Sequence, residues 1–445
     1  MTTRLGDLQA CFEGVIPSIL ATSAADGTPN ISYLSHVVLV DDQHVALSNQ
    51  FFAKTAANIR ANPSAALLLV DARNGAQFRL EVAWVRSLES GPLFERVSTH
   101  LQASSAQVGM AGVMRLRAVD IFRVATITAV VSAAVASRTP VATPAAHLPT
   151  IARITKTIAD QTDVDGVVSA MLEGVLKGVG CDHAIVLLND EARGLLTTVA
   201  SVGYDSSGIG SEVMVNEGLI GAAVLADQPV RVSDMSRVRR FGAAVEASSA
   251  DENRTRVINL PGLPDAMSQI AVPMSAQGSV IGALFAESRR RLAFADEQEA
   301  LLEMIARQGA IAIMLNERLA SEVRPARSDP PTVSIRSGRT IHIVHHRFDD
   351  SVFIDNVYII KGVAGRLLAF MLEVYRRDGR TEFTNREIRL SGSIRLPEIK
   401  DNLETRLLLL RRRLEEKAAR VRLVHSGRGQ VRLEIDGKPE FVQPD

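Results

Sequence analysis

The stretch that decides the N-terminal fold reads Gly27-Thr-Pro-Asn-Ile-Ser-Tyr-Leu-Ser-His36. Apolar and polar residues alternate along it, and the turn residues Asp41-Asp42 separate it from a second apolar stretch. Alternation with a period of two is typical of a strand that buries one face. We therefore predict antiparallel strands at Asn30–Val40 and His44–Asn49.

Further strands lie on either side of this pair in the sequence. They are predicted at Ile16–Thr22, Ala65–Val70 and Gln77–Arg86. A short helix is predicted at Thr55–Ala61, because Asn62-Pro63 disfavours its continuation. Several short antiparallel strands with one small helix predict a barrel.

The residues of this region resemble the pyridoxamine-phosphate-oxidase-like, FMN-binding split-barrel family over about 110 residues. The resemblance rests on Gly27–His36, Val45–Asn49 and Phe52-Ala-Lys-Thr-Ala-Ala-Asn-Ile-Arg-Ala-Asn-Pro63. It implies FMN or a related flavin as cofactor, held between the subunits of a homodimer, with Lys54 on the phosphate. The cofactor-binding residues that it implies are Tyr33, Leu34, Ser35, His36, Ser48, Asn49, Lys54, Thr55 and Gln77.

Two departures from the family narrow the expected chemistry. Tyr33 stands where many members have an arginine, and the C-terminal Arg- and Trp-containing segment of the vitamin-processing oxidases is not evident. Oxidation of pyridoxine phosphate is therefore disfavoured. Heme, with His36 as ligand, is a second cofactor that split barrels hold, but a single strand histidine is more often structural.

The middle of the chain has the pattern of an α+β domain. Helical spacing over Ile151–Val179 precedes strands at Ala184–Leu188 and Leu195–Val202. A second strand pair at Gln269–Met274 and Val280–Glu287 precedes a long helix at Asp296–Ser321. The order helix, sheet, helix is that of an α+β or mixed α/β fold.

This segment resembles a GAF domain, a sensor fold that binds small molecules of several classes. The matching stretches are Asn216-Glu-Gly-Leu-Ile-Gly221, Gln228-Pro-Val-Arg-Val-Ser-Asp234, Ser268-Gln-Ile-Ala-Val-Pro-Met274, Gly282-Ala-Leu-Phe-Ala-Glu-Ser288 and Phe294-Ala-Asp-Glu297. The ligand stays open. Cys181 and His183 lack the further partners that a metal site needs, so we expect a packed cysteine and a surface histidine.

The last segment has the element order of a winged helix. Strands at Val333–His346 and Ser351–Ile360 precede helices at Gly362–Arg377, from the capping box Thr384-Asn-Arg-Glu387, and at Pro397–Ala418. A strand pair flanks Gly427-Arg-Gly429. The segment resembles the output domains of two-component response regulators, on Val352–Lys361, Leu410-Arg-Arg-Arg-Leu-Glu415 and Val421–Leu433.

That resemblance implies DNA binding by the third helix and the hairpin. The candidate DNA-binding residues are Lys400, Thr405, Arg406, Arg411, Arg412, Arg413, Arg422 and Arg428. Leu408 and Leu409 oppose this reading, since leucine cannot hydrogen-bond to base edges. They point away from the core stripe Leu403, Leu407 and Leu410 and could pack on a partner, another domain or a dimer mate. An interaction-only winged helix therefore stays open.

Composition sets the limits of these predictions. The 445-residue chain has zero formal net charge, but it has 11 basic and 10 acidic residues in 1–140, 17 and 24 in 141–330, and 22 and 16 in 331–445. A basic C-terminal segment suits a polyanionic partner. Two cysteines fit a cytoplasmic protein without disulfides, and apolar stretches fall short of the ~20 residues that span a bilayer.

The sequence thus predicts a multidomain α+β protein. Proline-containing linkers divide it into an antiparallel split β-barrel (1–140), a GAF α/β sensor domain (149–322) and a C-terminal winged helix (333–438). The preferred function is a one-component transcriptional regulator that senses a flavin, redox state or small ligand. The alternatives are a flavin-dependent oxidoreductase with regulatory domains and a non-DNA-binding interaction protein; no catalytic residue or metal ligand is predicted.

Overall fold

The structure is a computed structural model that describes residues 3–34, 36–50, 53–107, 115–130, 148–191, 193–236, 258–322, 339–391, 394 and 403–442. We call residues 3–130 the N-terminal barrel, 148–322 the middle domain and 339–442 the C-terminal domain. Residues 237–257 and 395–402 lie outside the described residues, and with them Lys400 and the start of the helix predicted at Pro397–Ala418. So do Ser35 and the residues 333–338.

The N-terminal barrel is a seven-stranded antiparallel sheet that the chain closes on itself. Its elements are a 3₁₀ helix Leu5–Cys11, β1 (Ser18–Ser23), β2 (Pro29–Leu34), β3 (Val37–Leu39), β4 (His44–Asn49), α1 (Ala53–Ala61), β5 (Ser64–Val70), β6 (Gln77–Leu88), α2 (Pro92–Gln107) and β7 (Ala118–Val130). The strand order is β2-β1-β5-β6-β7-β4-β3. Because only residues 35 and 36 separate β2 from β3, the chain joins the two outer strands and encloses a core that includes Leu67, Leu80 and Phe122.

The predicted antiparallel, split-barrel-like N-terminal fold is confirmed, with two differences in detail. The stretch predicted as one strand at Asn30–Val40 contains two strands, β2 and β3, which lie at opposite ends of the strand order. Helix α2 and strand β7 were not predicted. Strand β7 is buried only in its first half, where it pairs with β4, and mostly exposed in its second half, so its apolar residues do not alternate.

The middle domain packs helices on both faces of a six-stranded sheet. Its elements are α3 (Leu148–Ala159), α4 (Val164–Val179), β8 (His183–Asp190), β9 (Leu195–Val202), β10 (Glu212–Met214), α5 (Gly218–Ala226), β11 (Val230–Val232), β12 (Ser268–Ala276), β13 (Ser279–Ser288) and α6 (Asp296–Glu322). The strand order is β10-β9-β8-β13-β12-β11. The predicted helix over Ile151–Val179 is two helices, since Asp163 caps α4 by accepting a 2.8 Å hydrogen bond from the Gly166 backbone N–H.

Two apolar layers hold this sheet, one on each face. Helices α3, α4 and α6 cover one face around Val167, Val186 and Ile305, and α5 covers the other around Ile185 and Leu219. Gly221 lets α5 approach the preceding strand, because a Cβ there would lie 2.6 Å from the Met214 carbonyl oxygen.

The C-terminal domain combines two small sheets with three helices. Its elements are β14 (Thr340–His346), β15 (Ser351–Ile354), β16 (Val357–Ile360), α7 (Gly362–Asp378), β17 (Glu382–Thr384), α8 (Asn385–Leu390), α9 (Leu403–Glu416), β18 (Val421–Gly427), β19 (Gln430–Ile435) and β20 (Lys438–Val442). The sheet orders are β16-β15-β14-β20 and β17-β19-β18. Thr384 caps α8 through its hydroxyl, which accepts a hydrogen bond from the Glu387 backbone N–H at 3.3 Å, as the capping box predicts.

Arg413 lies in the interior of this domain although it is charged. Its side chain is 0 % exposed, its Nε donates to the Ile359 carbonyl oxygen at 2.8 Å, and its Nη1 pairs with Glu416 at 2.9 Å. The guanidinium also lies 6.0 Å from the centroid of the Tyr358 ring. In this structure Arg413 therefore fastens α9 to β16 and is not available to DNA.

Replacing Arg413 by methionine is expected to lower the free energy of unfolding by about 1–3 kcal/mol, because the Ile359 carbonyl loses a charge-assisted hydrogen bond in the interior. Urea titration followed by circular dichroism measures this change. The exposed Arg422 serves as the control, and R422M should change stability by less than about 0.5 kcal/mol. Equal stability of R413M and the wild type would contradict the structural role.

Candidate functional site

A cleft of about 940 Å³ lies between the N-terminal barrel and the middle domain. Three of the predicted flavin residues, Tyr33, Leu34 and His36, line it from the barrel, and α2 contributes Val97 and His100. Helix α2 also packs against α5 and β11 of the middle domain. The cleft is therefore bounded by both domains.

Two uncharged histidines face this cleft. Burial lowers the pKa of His36 to about 4, and its Nδ1 has no hydrogen-bond partner among the described residues. Burial lowers the pKa of His100 to about 3, assisted by the charges of His36, Arg231 and Arg96. At neutral pH both imidazoles are uncharged, so each presents one donor and one acceptor nitrogen.

Arg231 on β11 holds the two domains together on the other side of the cleft. It pairs with Glu13 of the barrel at 3.2 Å and, on its own domain, with Asp296 at 2.7 Å and Glu299 at 2.9 Å. Ser233 also donates its hydroxyl to Glu13 at 2.7 Å. Burial opposes the charge of Arg231, but the three carboxylates outweigh it and raise its pKa, so the guanidinium stays charged.

The positive charge of Arg231 does not fully offset the effect of burial on the carboxyl groups around it. Burial raises the pKa of Glu13 and that of Glu299, although Arg231 acts in the opposite direction on both. The single guanidinium group of Arg231 thus pairs with three carboxyl groups at a site that is partly shielded from water. Burial thus favours the protonated, uncharged form of Glu13 and Glu299 and reduces the negative charge on this wall of the cleft.

A second polar cluster lies at the start of α1. The Thr55 hydroxyl is 2.6 Å from Ser32 Oγ and accepts a hydrogen bond from Asn30 Nδ2 at 3.0 Å. Lys54 is exposed beside it, and the first backbone N–H groups of α1 are oriented toward the same end of the helix. Lys54 and Thr55, which are adjacent in sequence, both lie at this end of α1.

The remaining predicted flavin residues do not converge on that cluster within one chain. Asn49 donates to Asp120 at 3.0 Å, and Ser48 is buried with its hydroxyl unpartnered among the described residues. Asn49 pairs with Ala118 at the start of the 13-residue β7, whereas Gln77 pairs with Val130 at its end. Ser35 lies outside the described residues.

Cys181 and His183 are both structural. Cys181 is buried and its thiol donates to the Glu287 carbonyl oxygen at 2.9 Å. The surface position predicted for His183 is wrong: it is 7 % exposed and packs edge-on against Tyr204, whose hydroxyl donates to the Glu287 carboxylate at 2.9 Å. Strand β8 begins at His183 and is buried at nearly every position because helices cover both faces of the sheet, so this side chain is covered as well.

The arginines of α9 contact the middle domain. Asp165, in the first turn of α4, pairs with both Arg411 and Arg412, and Nε of Arg412 donates to it at 2.8 Å. Arg412 also donates to the Val199 carbonyl oxygen at 3.1 Å, and Arg406 pairs with Asp190 at 2.8 Å. Three of the predicted DNA-binding arginines are therefore occupied by middle-domain groups.

Apolar side chains interlock at the same interface. Leu408 is 5 % exposed and belongs to the core cluster of the middle domain, while Ile209 of the middle domain packs in the C-terminal core. The prediction that Leu409 points away from the core is wrong, because it is buried in the same C-terminal core as Leu403, Leu407 and Leu410. The leucine that points away from its own core stripe thus packs against another domain, one of the alternatives that the sequence left open.

The other predicted DNA-binding residues divide into two groups. Thr405 is buried and its hydroxyl donates to Glu317 of α6 at 2.9 Å. Arg422 and Arg428, on the β18–β19 hairpin, are exposed. Lys400 lies outside the described residues.

Sequence reasoning missed the acidic partners that hold these contacts. Arg231 lies in the quoted stretch Gln228–Asp234, but its partners Glu13 and Glu299 are remote in sequence, and nothing local marks them. Asp165 has the appearance of an ordinary first-turn carboxylate, which the helix dipole alone explains. Its lowered pKa has another cause: burial raises it, and the guanidinium groups of Arg412 and Arg411 outweigh that effect.

Two of the three domains match known protein families. Residues 6–129 match the family model described as pyridoxamine 5'-phosphate oxidase, and residues 161–314 match the GAF domain model. The chain therefore carries a pyridoxamine-phosphate-oxidase-like domain followed by a GAF domain, as predicted. No curated protein matches the chain.

Solved structures similar to the chain each cover one domain. The GAF domain of an Acinetobacter phosphoenolpyruvate-protein phosphotransferase is 21% identical over 39% of this chain and 95% of its own, with a TM-score of 0.32. An FMN-binding protein from Syntrophomonas wolfei subsp. wolfei is 17% identical over 29% and 88%, with a TM-score of 0.26. HupZ from Group A Streptococcus is 24% identical over 31% and 100%, with a TM-score of 0.24.

Two features are absent from the described ranges. None of the helices there is both long and apolar enough to span a membrane. No group of three or more histidine, cysteine, aspartate or glutamate side chains in the same ranges is arranged to hold a metal ion.

The depressed pKa of His36 makes stability depend on pH in a defined direction. Because the folded pKa of about 4 lies below the ordinary 6.5, the unfolded chain binds more protons between these values. The free energy of unfolding should therefore fall as the pH decreases from 6.5 toward 4, by up to about 1.4 kcal/mol per unit from this group. Urea titrations at pH 7 and 5 measure the loss, which H36Q should reduce and H44Q, at a more exposed site, should not. An H36Q protein with the wild-type loss would contradict the burial of this imidazole.

Proposed function

We propose that the chain is a ligand-responsive regulator in which the N-terminal barrel and the middle domain sense a signal and the C-terminal domain is a DNA-binding winged helix. The single observation that carries this proposal is the contact of Arg406, Arg411 and Arg412 with Asp190 and Asp165. These carboxylates occupy the guanidinium groups that DNA phosphates would neutralise. The sensor thus competes directly with DNA for the same side chains.

Helix α9 is docked on the middle domain, and a signal that weakens this docking would change its exposure. Release of α9 from α4 would expose Arg411, Arg412 and Arg406 together with the already exposed Arg422 and Arg428 of the hairpin. A ligand changes this equilibrium only if it binds one arrangement more tightly than the other. A ligand site that involves the middle domain meets this requirement, because the middle domain supplies the acidic partners.

The barrel supports flavin sensing through the cluster at α1. The residues fit the phosphate end of FMN: Lys54 offers a compact cation, and the N–H groups of the first turn of α1 and the hydroxyl of Ser32 offer hydrogen bonds. A bound flavin would supply reversible electron transfer. The role of these residues is to bind and orient the phosphate.

Replacing Lys54 by alanine should weaken binding of FMN about tenfold, since a charge-assisted hydrogen bond is worth about 1.5–3 kcal/mol. Quenching of flavin fluorescence on titration measures this affinity. Riboflavin, which lacks the phosphate, should bind K54A and the wild type equally. R60A, at the other end of the same helix, is the control; unchanged FMN affinity in K54A would contradict the phosphate site.

Replacing Asp165 by asparagine should increase DNA affinity about tenfold, because two arginines lose their anionic partner and the docked state loses about 1–2 kcal/mol. Mobility shift with the upstream region of its own gene measures this affinity. E173Q, an exposed position on the same helix that pairs with Lys177, is the matched control. R428E should weaken binding, and raising the salt concentration should weaken it for every variant.

Other outcomes of that experiment favour the alternative functions. Absence of DNA binding in both the wild type and D165N would leave an interaction protein, an alternative supported by the packing of Leu408 in the middle-domain core. Flavin binding without DNA binding would leave the flavin-dependent oxidoreductase. Either result would contradict the regulator proposal.

A further inference from the structure

A short connection of the middle domain reaches into the C-terminal domain. Residues 203–211 join β9 to β10, and Ile209 within them is 9 % exposed because it packs in the C-terminal core. Directly after this connection, Glu212 pairs with Lys361 of the C-terminal domain at 3.2 Å. One stretch of the middle domain thus supplies an apolar and an ionic contact to the C-terminal domain.

The turn that carries Ile209 is held on the middle domain by hydrogen bonds. The Ile209 backbone N–H donates to the Ser207 hydroxyl at 3.2 Å, and the Gly210 backbone N–H donates to the Thr198 carbonyl oxygen of β9 at 2.8 Å. The Ser211 hydroxyl also donates to Thr198 Oγ1 at 2.8 Å. Ile209 therefore projects from a turn of defined shape, and its place in the C-terminal core depends on where that turn lies.

A second segment of the middle domain packs directly on this turn. A Cβ on Gly208 would lie 2.1 Å from Cδ of Pro261, and one on Gly210 would lie 2.9 Å from Cδ1 of Ile258. Both glycines have positive φ, 57° and 88°, so a larger residue would be strained as well as crowded. A displacement of residues 258–263 would therefore remove the support of the turn at both of its glycines.

One buried carboxylate holds both segments. Glu287 on β13 accepts the Tyr204 hydroxyl at 2.9 Å and the Leu263 backbone N–H at 3.0 Å, and both donors bind the same oxygen, Oε2. Gln269 donates to the other oxygen at 2.7 Å. Burial raises the pKa of the Glu287 carboxyl, and these three donors act in the opposite direction. Loss of Oε2 as an acceptor would release both segments together.

We propose that the hydrogen bonds of Glu287 control whether Ile209 occupies the C-terminal core. With Tyr204 and Leu263 bound to the carboxylate, residues 258–263 support the turn that inserts Ile209. A ligand that binds more tightly when residues 258–263 leave Glu287 would withdraw Ile209 and weaken the docking of the C-terminal domain. The control acts at a distance, since the hydrogen bonds of the Glu287 carboxylate to described residues all lie within the middle domain.

This control is separate from the functions proposed above. Docking through Ile209 involves neither DNA nor the flavin cluster at Lys54, so failure of DNA binding or of flavin binding would leave it intact. The ion pairs of Asp165 hold a different part of the interface, the first turn of α4. Conversely, failure of control through Glu287 would leave the competition between Asp165 and DNA unchanged.

Hydrogen–deuterium exchange of the full chain, followed by mass spectrometry, measures docking through the backbone amides of α9. I209A should speed the exchange of α9 about fivefold or more, because the C-terminal core loses a buried side chain that the middle domain supplies. I220A removes an isoleucine of α5 that is buried within the middle domain, and this matched control should leave the exchange of α9 unchanged. Exchange of α9 at the wild-type rate in I209A would overturn the proposal.

Variants at the carboxylate test the control itself. E287Q should speed exchange about threefold or more in both residues 258–263 and α9, because a carboxamide keeps one acceptor oxygen for three donors. Y204F removes only one hydroxyl and should change both regions in the same direction with less risk to folding. S268A, which loses a buried hydrogen bond to the Arg290 carbonyl oxygen, is the control and should leave α9 unchanged. Faster exchange of residues 258–263 without a change in α9, or no change in either region in both Glu287 and Tyr204 variants, would overturn the proposal.

Discussion

The ion pairs of Asp165 with Arg411 and Arg412 determine what the rest of the molecule can do. They join the first turn of α4 to α9, the helix that carries four of the eight predicted DNA-binding residues as arginines. Beside these ion pairs, Leu408 of the C-terminal domain packs in the core of the middle domain, and Ile209 of the middle domain packs in the C-terminal core. The contact is therefore apolar as well as ionic. A basic surface that binds the protein's own carboxylates is available to DNA only after these contacts break.

Helix α6 physically connects the two ends of this system. Near its start, Asp296 and Glu299 hold Arg231 and thereby the barrel. Near its end, Glu317 accepts a hydrogen bond from Thr405, and Gly429 of the hairpin lies so close that a Cβ there would be 2.5 Å from the Ala320 carbonyl oxygen. A 27-residue helix is about 40 Å long, and this one element therefore contacts both the cleft beside the barrel and the C-terminal domain.

The sequence was informative where local pattern determines structure. The period-two stretches around Tyr33, the hairpin Gly427–Gly429 and the capping box at Thr384 predicted their elements correctly, because these depend on nearest neighbours along the chain. The partners of the charged residues could not be predicted in this way. Arg412 and Arg413 are adjacent in sequence, yet one binds another domain and the other is buried under β16. His183 likewise gave no local sign that it is buried.

The contact between α9 and the middle domain is tested most directly by a distance measurement on the full chain. Spin labels at S206C and S426C, both exposed positions, would report the separation of the middle domain from the hairpin. The two native cysteines are protected from labelling, because burial raises the pKa of the Cys11 thiol to about 12 and that of the Cys181 thiol to about 11. Double electron–electron resonance should give one narrow distance distribution in the doubly labelled chain that is otherwise wild type. The same labelled chain with the D165N substitution should give a broader distribution centred at a longer distance. A broad distribution in both proteins, or an identical narrow one in both, would contradict the role assigned to Asp165.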